Sequence, residues 1–497
     1  MTNVVRPIRT RFAPSPTGFV HIGSMRTVLF EWLLARQSGG QFILRVEDTD
    51  QNRYVEGAED QLKASLQMMD FQWDEGPDVG GPFAPYRQSE RLQLYAPIIA
   101  EMEERGILYR CFCSRERLDA VNAEKQARKQ APGYDRHCRG LDRAEAQRRA
   151  AAGEPHVYRL ALRLTGEVVT HDALRGPIVF QNETFSDPVM IKGDGFPTYH
   201  FAAPVDDHLM EITHVLRGEE WIATSPYHVT LYELMGWEQP VWVHLPQVLG
   251  SDGKKLSKRH GATGVNEFIE QGYLVDALTN CLALVGWGYD ETTEIMTRQE
   301  LIERFSIAHI SPNGGSFSHD KLNWFNGQYI RKLTPAALGE LLLPYLQATN
   351  LLATPASDAE RSRLAEFVPL IQERLVTLGE APELLRFFFQ APTAYGPELL
   401  PKKYTAAATK HLLEEAHTAL SNDQDWTEPA IEATLRGLAE EIGAKPGDLF
   451  MAIRVAATGS KASPPLFHTL HTLGKAPTLE RLACAASTLH APDEAAH

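Results

Sequence analysis

Cysteine is scarce, with five in 497 residues. That is too few for a disulfide framework in a chain of this length. Three of the five, Cys111, Cys113 and Cys138, fall in one short segment, a usage that suits a metal better than cross-links. Cys281 and Cys484 lie alone in apolar helical patterns and read as core residues. Long apolar runs are missing too: no uninterrupted stretch approaches the ~18 residues of a membrane span. The polar, arginine-bearing start Met1 to Arg11 has no apolar stretch behind it and does not resemble a secretory leader, so the expected location is the cytoplasm. A basic balance is also absent, since 49 Lys and Arg against 64 Asp and Glu leave −15. Bulk attraction to nucleic acid is thereby excluded, and any such contact must use local basic patches. No internal repeat occurs, and the only biased segment is the Ala-rich, His-containing tail Ala483 to His497.

What is present is enough apolar residue (43%) for several cores, because single cores stop growing at about 250 to 300 residues. Ile8 to Ala13 reads as a strand, Pro14 to Gly23 as a Pro/Gly loop, and Ser24 to Arg36 as a helix with Met25, Val28, Leu29, Trp32 and Leu33 on one stripe. A second strand, Gln41 to Val46, opens into the acidic run Glu47 to Asp50. Strand, loop, helix and strand make a right-handed βαβ unit, the start of a Rossmann-like half. From about Tyr109 to Thr198 this pattern is interrupted by cysteines, a charged helical piece (Arg115 to Lys129) and short strand-like runs at Val157 to Leu164 and Pro188 to Lys192. Strand, helix and strand return at Ile212 to Leu216, Ser225 to Met235 and Val241 to Val248, and should complete the parallel sheet. From about Asn266 onward the pattern is helical, punctuated by Pro, Gly and Asn.

Two loops carry chemistry. In His21-Ile-Gly-Ser24, Gly23 lets backbone approach a ligand, the helix start offers N–H groups to phosphate, and the His21 imidazole can donate to a phosphate oxygen. More than two hundred positions on, Lys254-Lys-Leu-Ser-Lys-Arg259 sits in a Gly-flanked loop whose lysines can close over a triphosphate. Each alone is a weak signal. Together, in this order around a split Rossmann fold, they resemble the HIGH and KMSKS signatures of class I aminoacyl-tRNA synthetases. The chain departs from that pattern at Ser24, Leu256 and Arg259 but keeps Lys258.

Within the class the chain resembles the bacterial-type glutamyl-tRNA synthetases. The resemblance rests on Arg11-Phe-Ala-Pro-Ser-Pro-Thr-Gly18, Arg45-Val-Glu-Asp-Thr-Asp50, Phe196 to His200, Asp206 to Met210, Leu216 to Trp221 and Lys321 to Asn326, dense over the first ~330 residues and loose thereafter. It implies an α/β fold: a Rossmann-like parallel-sheet catalytic domain split by an insertion and followed by an all-α carboxy-terminal anticodon-binding body. The boundaries expected are 1–110 and 206–265 for the catalytic halves, 111–205 for the acceptor-stem insertion, 266–332 for a helical stem-contact region and 333–497 for the anticodon-binding region.

The resemblance also implies ATP-dependent activation of L-glutamate to glutamyl adenylate, with Mg²⁺, and transfer to the terminal ribose of tRNA(Glu) by a monomer. Arg11, Ala13, Ser15, Glu47, Tyr199 and Arg217 would line the glutamate pocket. Chemistry agrees: Glu47 and the Ser15 hydroxyl can take the ammonium, and the Arg11 and Arg217 guanidiniums can fork onto carboxylates. His21, Gly23, Ser24, Glu220, Val248, Lys255, Ser257 and Lys258 would hold ATP, with His21 and Lys258 stabilising charge during transfer. Arg374 is the candidate for reading an anticodon base. Cys111-x-Cys113 with Tyr134 and Cys138 can make a four-coordinate zinc site, with His137 a further ligand candidate, while free or buried thiols are the alternative. Three other readings stay open: a form that also charges the glutamine tRNA, a tRNA-modifying ligase of the glutamyl-queuosine type, and a synthetase-like binding protein without catalysis.

Overall fold

The computed structural model describes residues 7–16, 18–50 and 55–489. They form two compact units: one runs to Ile269 and resumes over Val275–Lys321, and the other comprises Glu270–Leu274 and the chain from Leu322. In neither is any described helix long and apolar enough to cross a membrane.

Among its described residues the first unit has eleven strands, β1 (Arg9–Phe12), β2 (Gln41–Leu44), β3 (Leu108–Cys111), β4 (Val157–Leu160), β5 (Glu167–Asp172), β6 (Gly176–Gln181), β7 (Val189–Ile191), β8 (His214–Gly218), β9 (Val241–Leu245) and the short parallel pair β10 (Val248–Leu249) and β11 (Gly315–Ser316). β1 and β2 run parallel with Arg9 opposite Gln41 and Phe12 opposite Leu44. β8 and β9 are likewise parallel, from His214 opposite Val241 to Gly218 opposite Leu245. The Thr213 N–H donates to the Arg9 carbonyl at 3.0 Å and so ties the start of β8 to β1. Between β1 and β2 lies the helix Ile22–Gln37, longer than its apolar stripe suggested and buried almost all round. The reason is packing on both sides: β1, β2 and β8 on one, the helices Val275–Ala283 and Arg298–Arg304 on the other.

The inserted segment divides. β3, β4 and β7 form their own antiparallel sheet. The β5–β6 hairpin, placed with the insertion on sequence, instead extends the catalytic sheet: β5 meets β9 in parallel at Asp172 and Trp242, in the order β6-β5-β9-β8. Its sequence gives no sign of this, because a hairpin reads the same whichever sheet its outer edge joins.

The second unit is helical throughout its described residues. Three of its helices start on side-chain caps: Thr334 ahead of Pro335–Ala348, the Ser357/Glu360 capping box ahead of Asp358–Gln372, and Thr405 ahead of Ala406–Asn422. The helices of this unit converge on one apolar core that includes Leu342, Phe367, Leu385, Leu413, Leu435 and Ile453. Cys281 is buried as expected, but Cys484 is exposed, being on the outer face of the last helix Lys475–Thr488.

Charge is buried deep in the first unit. Asp206, fully buried on the helix Tyr199–Leu209, accepts from Arg91 Nε at 2.7 Å, Gln88 Nε2 at 3.0 Å and Tyr95 Oη at 2.8 Å. Removing this carboxylate strands the buried Arg91 cation, a loss of about 3–5 kcal/mol. Asp206→Ala is therefore expected to lower the unfolding temperature of this unit by on the order of 10 °C in a thermal scan. A melting curve that coincides with wild type would show that Arg91 is neutralised elsewhere.

Candidate active site

The two loops meet through main-chain bonds. Ile22 N–H donates to the Thr263 carbonyl at 2.8 Å, and His21 bridges Gly264 just past the lysine loop. Beside them a cleft of about 1190 Å³ opens along the carboxyl ends of β1, β2 and β8. This exceeds the roughly 300–1,000 Å³ of a single small-molecule site and leaves room for two ligands side by side. Its lining includes Arg11, Ala13, Ser15, Glu47, Tyr199 and Arg217 together with His21, Gly23, Ser24, Glu220, Val248, Lys255 and Ser257. Lys258 lies in the short turn Lys258–His260, and its side chain falls outside the described residues.

At the end of the cleft formed by the two loops, the His21 ring caps its own helix: Nδ1 accepts the Gly23 N–H at 3.0 Å. One of the N–H groups expected to face phosphate is thus taken by the histidine itself. With Nδ1 accepting, the neutral ring carries its proton on Nε2, where it can donate. A Cβ at Gly23 would come within 3.3 Å of His21 Nδ1, so glycine leaves the cap undisturbed. The lysine loop is tied within itself, Ser257 N–H to His260 Nδ1 at 3.0 Å and His260 Nε2 to Asp252 Oδ1 at 3.1 Å, while Lys254 and Lys255 stay exposed.

The opposite end is an ion lattice. Asp207 Oδ1 accepts from Arg11 Nε at 3.0 Å and Arg45 Nη1 at 2.7 Å, and Arg45 Nη2 holds Glu47 Oε1 at 3.0 Å. Arg217, on β8, gives Nη1 to Tyr199 Oη at 3.1 Å, while its buried Nη2 has no partner. The Tyr199 ring packs on Trp221 with centroids 4.3 Å apart. The lattice thus presents a carboxylate, Glu47, and the neighbouring strand an arginine, Arg217, to one cavity.

Several lining residues carry no motif. Lys192 donates to the Thr49 carbonyl at 3.0 Å at the rim. Arg26, which binds the Val285 and Pro246 carbonyls, and Glu31, 3.5 Å from Arg11, both come from the first helix. The available signal was charge inside an otherwise apolar helix. Burial pushes the Glu31 carboxyl well above the ordinary 4.5, against the pull of Arg11.

In the insertion the Sγ atoms of Cys111, Cys113 and Cys138 lie within 4.8 Å of one another. Cys113 and Cys138 are 3.6 Å apart, close to the edge of a tetrahedron with metal–sulfur bonds of about 2.3 Å. Tyr134 Oη stands 3.3 Å from Cys111 Sγ and 3.9 Å from Cys113 Sγ. The donor set therefore suits one zinc ion. His137 is exposed and is not a member of this cluster. In the second unit Arg374 is exposed, and its charge together with burial lowers Arg454.

A helix-capping histidine loop and a lysine loop meeting over a parallel sheet define the catalytic domain of a class I aminoacyl-tRNA synthetase. Residues 7–324 match the family of class I tRNA synthetases (E and Q), catalytic domain, and residues 337–486 match an anticodon binding domain. The chain is 51% identical over 493 residues to a glutamate–tRNA ligase of Herpetosiphon aurantiacus, covering 98% of this chain and 99% of that one. It is 50% identical to a glutamate–tRNA ligase of Chloroflexus aurantiacus over 98% and 99% of the two. A crystal structure of a glutamate tRNA ligase from Elizabethkingia meningosepticum in complex with its amino acid superposes with a TM-score of 0.89 at 34% identity, over 98% of this chain and all of that one. The chain belongs to the glutamate–tRNA ligase family.

The raised Glu31 carboxyl has a consequence for stability. Its folded value is raised, so the stability it contributes is complete below 4.5 and is lost as pH rises through the folded value. Glu31→Gln, neutral at every pH, is expected to be more stable than wild type in alkaline buffer, with the difference vanishing as pH falls towards about 4.5. Denaturant midpoints at several pH values give the comparison; a gap independent of pH would mean that folding does not raise the Glu31 carboxyl.

Proposed function

We propose that this chain joins L-glutamate to tRNA(Glu) in two steps at the one cleft. The glutamate α-carboxylate attacks the α-phosphorus of ATP, which arrives with Mg²⁺, and pyrophosphate leaves; a hydroxyl of the terminal tRNA ribose then attacks the carbonyl carbon of the adenylate, losing its proton as AMP leaves. The observation that carries this reading is the convergence, in one cleft, of the two loops with Glu47 and an Arg217 whose Nη2 is unpartnered. Glu47 and Ser15 take the ammonium and Arg217 the side-chain carboxylate, while Arg11 stands where it can meet either carboxylate. His21, through Nε2–H, and Lys258 meet the negative charge that shifts on the phosphates, and Gly23, Ser24, Glu220, Val248, Lys255 and Ser257 hold the nucleotide around it. The insertion is suited to the acceptor end of tRNA: residues 111–163 carry twelve Lys and Arg against seven Asp and Glu in a chain of net −15. The paired cations Arg374 and Arg454 suit an anticodon strand.

ATP–pyrophosphate exchange tests the first step. Exchange is expected with glutamate and tRNA, and Lys258→Ala is expected to slow it by about 10² to 10³. No exchange under any condition would favour a synthetase-like binding protein.

Cys111, Cys113, Cys138 and Tyr134 would hold one zinc, which pins the loop between β3 and β4 and takes no part in the chemistry. Elemental analysis should find about one zinc per chain, lost in Cys138→Ser. A metal-free protein in which all five thiols titrate on unfolding would mark the cluster as plain cysteines.

A further inference from the structure

Arg217 spends its donors in a particular way. A guanidinium has five N–H groups and accepts nothing. The Nε–H goes to His244 Nε2 at 3.0 Å, and the two on Nη1 go to Tyr199 Oη and to His228 Nδ1, both at 3.1 Å. Only Nη2 is left over, buried and without a partner, on a residue that lines the cleft.

This arrangement dictates the state of the histidines. Facing a group that only donates, His244 Nε2 and His228 Nδ1 must both be bare lone pairs. The His244 proton therefore sits on Nδ1, 2.8 Å from Asp172 Oδ2, with both side chains fully buried. Asp172 is itself held by main chain: Oδ1 accepts the N–H groups of Leu174 and Arg175, each at 2.9 Å, and Oδ2 accepts that of His244 at 2.9 Å. Burial opposes the charge on Asp172, but these donors outweigh it and keep the carboxyl below its ordinary value. On the other side the His228 proton falls on Nε2, 3.4 Å from His200 Nδ1. Burial and then the Arg217 charge press His228 well down and His200 down to about 4. Burial lowers His244 as well, against the pull of Asp172. Three histidines thus surround one cation without adding charge to it.

We propose that His244, oriented by Asp172, and His228 are positioning residues that lock Arg217 so that Nη2 alone faces the substrate, making them determinants of glutamate over glutamine. The inference rests on the glutamate reading of the cleft. A carboxylate can take both Nη2 hydrogens and cancel the buried charge. An amide offers a carbonyl and leaves the charge unpaired. A guanidinium free to turn would relax that demand, since its cation could swing towards other acceptors. The neutral histidines remove the option without competing electrostatically for the substrate, as a carboxylate partner would.

Two substitutions at one position separate orientation from general damage. His244→Asn keeps a side-chain N–H for Asp172 but lacks an acceptor that reaches Arg217. His244→Gln returns an acceptor near the place of Nε2. Steady-state exchange would give KM for glutamate and for ATP, the glutamate-to-glutamine ratio of kcat/KM, and melting temperature would be followed in parallel. His244→Asn is expected to raise the glutamate KM roughly tenfold and lower the glutamate-to-glutamine ratio by a similar factor, with the ATP KM unchanged. His244→Gln is expected to restore both to within about threefold. Should His244→Asn fail to fold, His228→Leu reads the same split, because it removes an Arg217 acceptor without stranding Asp172. An unchanged glutamate KM, an equal rise in the ATP KM, or a Gln variant no better than Asn would overturn the positioning role while leaving wild-type activity intact. Absence of glutamate-dependent exchange in wild type would overturn the functional reading itself and this inference with it.

Discussion

Asp207 is buried between Arg11 and Arg45, and much of the end of the cleft that holds Glu47 hangs on it. Two guanidiniums out of water repel each other, and neither is tolerable there without an anion of fixed position. Asp207 supplies that anion from the helix Tyr199–Leu209, whereas Arg11 rises from β1 and Arg45 follows directly after β2. One carboxylate thereby joins three separate stretches of chain. Arg45 then passes the constraint on to Glu47, the acid that faces the cleft. Such a lattice adds little net stability, but it penalises every arrangement in which a partner is missing, and so fixes geometry.

Arg217 is constrained by other means. Where Arg11 and Arg45 are neutralised by carboxylates, Arg217 is held by lone pairs of histidine and tyrosine and by the Trp242 face 5.0 Å away. Its charge therefore remains to be cancelled. The contrast divides the arginines: the charge of Arg45 is cancelled by Asp207 and Glu47, although its Nε has no partner, while no carboxylate bonds to Arg217 among the described residues. The two halves of the cleft are joined at their other end by plain main-chain bonds, Ile22 to Thr263, which carry the histidine loop and the lysine loop to the same place.

Much of this was legible in the sequence because it is local. The helix Ser225–Met235 stands where Pro226 at its start and Gly236 just beyond it place it. The Cys111-x-Cys113 pair is readable from spacing, while the glycine and histidine of the first loop, and Tyr134 with Cys138, stand out through the family resemblance. What was not legible is long-range or disguised. Asp172 and His244 are 72 positions apart on two ordinary strands, and only the pairing of β5 with β9 makes them neighbours. That same pairing moved the β5–β6 hairpin out of the insertion and into the catalytic sheet. Glu31 is disguised by the apolar helix around it, and the His21 cap by a ring nitrogen that turns back on its own backbone.

The central claim is that an uncancelled, buried arginine charge selects the substrate. It is tested most directly by the ratio of kcat/KM for glutamate to that for glutamine in charging the same tRNA by the wild-type protein. The account predicts about 10⁴ or more, since glutamine would leave a buried cation unpaired. A ratio near ten, of the kind that size and shape alone give, would contradict it.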